Sequence, residues 1–234
     1  MSQRKVPLVD GEYYHIYNRG NSKQKIFLDE EDYRHFVKCL FVLNTYRHFK
    51  FRDNIVDTNI DAFDFKRGDT LVSMGAWALM PNHFHIYLTA AKTPPHKSDL
   101  WEDGKRNKIG EFMRKLSTAY AKYFNAKYIR TGSLFEGVFK SVHIKDDVQA
   151  KYLFAYIHLN PVKIIDPEWK EKGIKDSIGA RKFLNSYEWS SYLDHIGKVR
   201  PQNKIMSIKH FPKYFKNKET IKEDIFGWFK PVKY

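Results

Sequence analysis

The stretch Leu71–Thr89, LVSMGAWALMPNHFHIYLT, decides how the rest of the chain reads. Two apolar runs, Leu71–Met80 and His83–Thr89, flank Pro81-Asn82. Proline cannot donate to a strand ladder and presets the backbone of a turn, so the runs read as two strands joined by a tight turn. Side chains alternate along a strand, so His83 and His85 leave one face and Phe84 the other. Two imidazoles on one face of a rigid strand are a ready pair of metal ligands. Taken bare, however, His-x-His more often marks ordinary surface or core histidines.

Working outward from this pair, Tyr13–Arg19 (YYHIYNR) is aromatic and β-prone and reads as a strand ending at Gly20. Asp29 is placed to cap a helix running to about Tyr46, with Tyr33, Phe36, Val37, Leu40, Phe41 and Leu43 as its apolar stripe. Residues 47–70 are polar and read as a loop or insertion with room for a small hairpin. Residues 91–104, with Pro94-Pro95, form a further loop. Residues 106–128 repeat apolar side chains at helical spacing, from Ile109, Phe112 and Met113 through Leu116 and Tyr120 to Tyr123 and Phe124. Val138–Ile144 reads as a fourth strand, and Asp146 caps a helix that stops at Pro161. The order strand, helix, two strands, helix, strand is that of a ferredoxin-like split βαβ, an α+β fold with an antiparallel central sheet, here followed by an extra helix. Residues 1–161 form this unit. Residues 162–234 read as a basic, partly helical extension packed on it, with short helices around 174–184 and 187–195.

The chain has 234 residues, with 41 Lys and Arg against 27 Asp and Glu, a net charge of +14. Its 42% hydrophobic content supports a buried core in one domain with extensions. No apolar run approaches the roughly 20 residues of a membrane span. The N-terminus, MSQRKVPLVDGEYYH, has no apolar signal core, so the expectation is a soluble, cytoplasmic protein. A single cysteine, Cys39, excludes an intramolecular disulfide and a multi-cysteine zinc finger. The charge favours a polyanionic partner, nucleic acid before membrane.

A second segment gives the histidines context. In Ala150–Asn160 (AKYLFAYIHLN), Tyr152, Tyr156 and Asn160 lie four apart and share a helix face. A tyrosine followed one turn later by an amide can present a phenolic nucleophile together with a third, oxygen ligand. Two imidazoles and one side-chain oxygen leave positions open for phosphate oxygens and water, which suits Mg²⁺ or Mn²⁺ better than a closed zinc site. With 15 tyrosines in the chain, spacing alone favours reading Tyr152 and Tyr156 as ordinary core aromatics, and the catalytic reading needs other support.

The chain resembles the REP-associated tyrosine transposases and, more broadly, the single-tyrosine HUH transposases, from about Gly11 to Tyr192. The likeness is carried by ordered blocks: YHIYNRG at Tyr14–Gly20, IFLD at Ile26–Asp29, MPNHFH at Met80–His85, GSLFEGVFK at Gly132–Lys140, YIHLNPVK at Tyr156–Lys163 and WSSY at Trp189–Tyr192. It implies a ferredoxin-like fold with the His-hydrophobe-His strand central in the sheet. It implies that His83 and His85 bind a divalent metal, Mg²⁺ or Mn²⁺, and that Tyr156 is the nucleophile, with Tyr152 as the fallback one turn earlier. Asn160 falls where the family places a polar third ligand. The implied activity is a metal-dependent single-stranded DNA endonuclease and strand transferase, forming a 5′-phosphotyrosine on hairpin-forming repeat DNA. The long C-terminal extension resembles the repeat-associated group, which favours a monomer over a dimer.

For the DNA surface, the candidates are Arg19 at the end of the first strand and Lys105, Arg106, Lys108, Arg114, Lys115 and Lys122 in the basic segment 105–130. A solvated helix face is the alternative there. The tail 200–234 mixes cations with Phe211, Tyr214, Phe215, Phe226, Trp228, Phe229 and Tyr234, which suits either unstacked bases or packing on the core. A competing function is a non-catalytic single-stranded nucleic-acid binder on the same sheet, which would need aromatics on the face that holds the histidines. His143 is read as structural, without an evident partner.

Overall fold

A computed structural model describes residues 7–92, 107–212 and 220–227. Its centre is a four-stranded sheet built from β1 (Tyr13–Arg19), β2 (Val72–Met80), β3 (His83–Ala90) and β4 (Lys140–Ile144), in the order β2-β3-β1-β4. Each neighbouring pair is antiparallel. With α1 (Glu30–Val42) between β1 and β2, and α2 (Lys108–Lys127) between β3 and β4, this is the ferredoxin-like topology. β4 begins two residues later than the apolar run suggests. Gly137 holds a positive φ of 66° and Val138 is exposed, so the chain is still turning there.

Local chemistry explains the helix starts. Asp29 accepts from the Asp32 backbone N–H at 3.0 Å, and the Asp32 carboxylate reaches back to the Asp29 N–H, a capping box at the head of α1. Asn107 caps α2 through the Gly110 N–H, and Asp146 caps α3 (Asp147–Leu159) through the Gln149 N–H. α1 ends at Val42, earlier than Tyr46, and the chain turns at Asn44, whose amide joins both backbone groups of Val72. Within 47–70 the described backbone forms short helical turns rather than a hairpin.

The two faces of the sheet are packed differently. On one, Tyr14, Ile16, Trp77, Leu79, Phe84 and Ile86 meet Phe36 and Leu40 of α1 and Phe112, Leu116 and Tyr120 of α2. On the other, Ala76, Ala78 and Tyr87 meet Leu153, Phe154 and Ile157 of α3 and residues from beyond Pro161. That later part contains α4 (Trp169–Lys172), α5 (Ser177–Ser186), α6 (Tyr192–His195) and α7 (Ile221–Gly227). Among these residues, Phe211 lies directly on β2: a Cβ added to Gly75 would come within 2.6 Å of its ring.

The block WSSY closes the open edge of β2. The Leu79 N–H donates to the Trp189 carbonyl and the Ser191 N–H to the Trp77 carbonyl. The Ser191 hydroxyl accepts from the Trp77 N–H and lies 2.8 Å from His158 Nε2, while His195 Nε2 meets the Gly75 carbonyl at 2.8 Å. A buried Arg200–Asp194 pair at 2.6 Å holds this cover in place. An exposed strand edge is a template for unwanted pairing, and this segment covers it. Among the described residues, no helix is long and apolar enough to cross a membrane.

Candidate active site

Strand register builds the site. β1 and β3 pair with Tyr17 opposite His85, His15 opposite Tyr87 and Arg19 opposite His83. Alternation then puts His15, Tyr17, His83 and His85 on the face covered by α3. α3 brings Tyr156 over them, its ring centroid 5.4 Å from that of His85 and 6.3 Å from that of His15. Asn160 follows one turn later at the helix end and is buried. His83, His85, Tyr156 and Asn160 are therefore gathered on one face, although they come from two distant stretches of sequence.

Neighbouring hydrogen bonds set the orientation of both imidazoles. The Asn82 amide nitrogen donates to the Lys23 carbonyl at 3.2 Å, which aims its oxygen at His83 Nδ1, 2.6 Å away. His83 Nδ1 is then the donor, and its Nε2 carries the lone pair. His85 Nδ1 lies 2.8 Å from His15 Nε2, and donation from His85 to His15 likewise frees His85 Nε2. Fixing one ring nitrogen so that the other can ligate is the arrangement seen around metal-bound histidines. The turn that holds Asn82 is itself tied down. The Gly20 N–H donates to the Asn82 carbonyl, the Ile26 N–H to the Pro81 carbonyl, and the Asn21 N–H to the Leu134 carbonyl. Arg19 pairs with Glu136. The blocks around Gly20, Pro81 and Phe135 thus form one knot beneath His83.

Two buried atoms test whether a cation fits. His85 Nε2 and Asn160 Oδ1 are both buried and make no hydrogen bond. A buried acceptor without a partner costs free energy, and a divalent cation is a natural partner for an imidazole nitrogen and an amide oxygen. Burial lowers the His83 pKa to about 4 and that of His85 well below its ordinary value, so both rings are neutral near pH 7, the form that ligates. The donor set therefore fits a cation held by His83, His85 and Asn160. Among the described residues, no three His, Cys, Asp or Glu side chains form a metal-binding group, so the third donor in this set is the amide.

Burial raises the Tyr156 pKa above its ordinary value, and the Asn160 side chain opposes that rise. The Lys170 ammonium sits 4.9 Å from the Tyr156 ring centroid. Tyr152 lies one turn earlier, its ring nearly parallel to that of Tyr156 at 6.3 Å, and is 40% exposed. The structure thus places Tyr156, rather than Tyr152, against the histidines.

The basic residues divide by location. Arg19 adjoins the site, and with Lys163 it is near enough to disfavour a proton on His83; Lys170 acts likewise on His85. Lys163 and Lys170 escaped the sequence reading, since neither stands in a basic run. α2, with Lys108, Arg114, Lys115 and Lys122, packs on the opposite face of the sheet. Lys108 is buried and donates to the Ala91 carbonyl. Lys115 donates to the carbonyls of Thr45 and Arg47, and Arg114 pairs with Glu111 on its own helix. Lys127, on the same helix, clamps Asp29, which caps α1, and Glu31 and Asp32 within it. Lys122 lines surface cavities away from the histidines. Lys105 and Arg106 lie outside the described residues, as do Tyr214, Phe215, Trp228, Phe229 and Tyr234. His143, read as lacking a partner, has one: its Nε2 lies 2.6 Å from the Glu12 carboxylate.

No family model matches the chain, and no curated protein matches it. Among solved structures, it is similar to a REP-associated tyrosine transposase bound to a REP hairpin, at 14% identity and a TM-score of 0.44, over 86% of this chain and 90% of that one. It is also similar to a candidate transposase from Deinococcus radiodurans R1, at 13% identity and a TM-score of 0.31, over 72% of this chain and 98% of that one.

Proposed function

We propose that the protein is a metal-dependent endonuclease and strand transferase for single-stranded DNA, acting through a covalent bond to Tyr156. The observation that carries this reading is the meeting of Tyr156 with two Nε2-presenting histidines and the Asn160 amide on one buried face. His83, His85 and Asn160 would hold Mg²⁺ or Mn²⁺, which when bound supplies Lewis-acid polarisation of a phosphate. Arg19, Lys163 and Lys170 surround that position with positive charge and attract the strand to it.

Burial leaves the free Tyr156 phenol protonated at neutral pH. In the reaction, its oxygen forms a bond to the scissile phosphorus as the phenol proton passes to solvent. The bond to the 3′ oxygen breaks, and that oxygen takes a proton from water. One end of the strand is left as a 5′-phosphotyrosine and the other as a free 3′-hydroxyl. Attack by another 3′-hydroxyl reverses the step, joins strands and restores the phenol, so no external energy source is needed. The resemblance to repeat-associated transposases makes hairpin-forming DNA the expected substrate, and the long C-terminal extension favours a monomer over a dimer.

The competing reading, a passive binder that stacks bases on the sheet, needs an open aromatic platform. Tyr87 is buried, and Phe211 packs on both Tyr13 and Tyr87 at 5.4 and 5.0 Å between ring centroids. Phe211 thus covers Tyr87 and part of Tyr13, and what stays open on this face is the cavity beside His85 rather than a broad platform. The decisive assay incubates the protein with single-stranded hairpin DNA and Mn²⁺ and looks for a covalent adduct on a denaturing gel. The adduct is expected with wild type and with Tyr152→Phe, and is expected to vanish with chelator and with the His83→Ala/His85→Ala double variant. Nicking that survives that double variant would remove the metal from the account.

A further inference from the structure

We propose that the cavity beside Tyr156 receives one unstacked nucleobase of the DNA strand, an inference that rests on the DNA-cleaving reading above. The cavity, about 740 Å³, lies between β1, β4 and α3, with His85 and Tyr156 among the residues of its wall. Three of its lining side chains, Val142, Val148 and Tyr152, are 45%, 65% and 40% exposed. Apolar side chains gathered around one opening mark a binding surface more often than isolated ones do.

The geometry favours a flat aromatic guest. Tyr152 and Tyr156 hold their rings within 7° of parallel, with centroids 6.3 Å apart. Two near-parallel ring faces on one wall of the cavity give a flat base a surface to stack on. Charge fits as well: Lys170 lines the cavity and no carboxylate does among the described residues. An aromatic wall beside a cation accepts any nucleotide, because every base has a π-face and every nucleotide of the strand has a phosphate for the cation. A base seated there would fix which phosphate of the strand meets the Tyr156 hydroxyl. Tyr152 would then act as a binding residue, one turn from the nucleophile.

The test is a position scan. A fluorescein-labelled oligonucleotide with a short hairpin and single-stranded tails of about ten nucleotides is titrated with protein in chelator, so that the strand stays intact. Single abasic nucleotides are moved through the tails, and affinity is read by anisotropy. Wild type is expected to lose about tenfold at one or two adjacent positions. Tyr152→Ala is expected to bind the intact strand about tenfold more weakly and to lose that positional dependence to within about twofold. Tyr152→Phe keeps the ring and should keep the dependence. Thermal melting by circular dichroism checks that both variants fold. A positional dependence unchanged in Tyr152→Ala, or absent from wild type, overturns the proposal. So does a wild-type dimer, seen by sedimentation, that Tyr152→Ala dissociates without changing DNA affinity, since the cavity rim would then belong to a second copy. Adduct formation with Mn²⁺ is scored separately on the same strands. An adduct without the coupling removes the base pocket and leaves the cleavage reading standing. Coupling without an adduct does the reverse.

Discussion

The two faces of the central sheet use the same strands for opposite purposes. Toward α1 and α2, the strands present Tyr14, Ile16, Trp77, Leu79, Phe84 and Ile86, all buried. Most of the polar groups in that layer are tied into the fold: the Tyr120 hydroxyl donates to the Ile26 carbonyl, and the fully buried Asp32 accepts from Leu28, Tyr123, Tyr128 and Lys127, while the buried Trp77 indole N–H makes no hydrogen bond. Toward α3, the alternate residues of β1 and β3 are His15, Tyr17, His83 and His85, and the buried atoms without a hydrogen-bond partner on that side include His85 Nε2 and Asn160 Oδ1 at the site and His158 Nδ1, His195 Nδ1 and Asp166 Oδ1 behind it. Unpaired buried acceptors are a cost to folding that the closed face can carry. The difference teaches where to look for function in such a sheet: on the face where the packing rules are broken by several neighbouring groups together.

This contrast yields a graded set of expectations. The largest concerns the closed face. Phe36→Ala removes a buried ring that meets Phe27, Phe84 and Tyr120, and urea unfolding should show a loss of about 3–5 kcal/mol. Tyr156→Phe, which deletes one hydroxyl on the other face, should cost less than about 1 kcal/mol by the same measurement. Equal losses would break the division between a stabilising face and a reacting face.

The next effect sharpens the role of His15. His15→Ala leaves the proposed ligands in place but removes the partner of His85 Nδ1. Calorimetric titration with Mn²⁺ should show about 10–100-fold weaker binding. Unchanged affinity would mean that His15 does not orient His85.

The same face also carries a pH dependence. Burial holds His15, His83 and His195, all on the α3 side, at a pKa of about 4. The unfolded chain takes up protons on these rings as pH falls through about 6.5, while the folded protein does not until about pH 4. The unfolded state binds more protons within that window, so stability should fall as pH drops from about 6.5 toward 4. A melting temperature that stays flat across the window would contradict neutral, buried imidazoles on this face.

Much of this was legible in the sequence because it is local. The Pro81-Asn82 turn, the caps at Asp29 and Asp146, and the aromatic, β-prone run Tyr13–Arg19 each act within a few residues, and each reads directly. The order of elements then selects the ferredoxin-like sheet. The candidate ligands and Tyr156 were legible through spacing and resemblance together. What was not legible depends on pairing between distant segments. His15 looks like one more residue of an aromatic strand, and only the β1–β3 register sets it against His85. Lys170 reaches Tyr156 because the chain turns back after Pro161. The WSSY block reads only as part of a family likeness, and its backbone closes the edge of β2. The basic run on α2 reads as a phosphate track in one dimension. In three dimensions its Lys108 and Lys115 bind backbone carbonyls and its Lys127 binds carboxylates.

The central claim is that one hydroxyl, on Tyr156, does the reaction on the histidine face. It is tested most directly by incubating wild type, Tyr156→Phe and Tyr152→Phe with labelled single-stranded hairpin DNA and Mn²⁺, then separating the products under denaturing conditions. The account predicts a protein-linked DNA band in wild type and Tyr152→Phe, and none in Tyr156→Phe. A linked band that persists in Tyr156→Phe would contradict it.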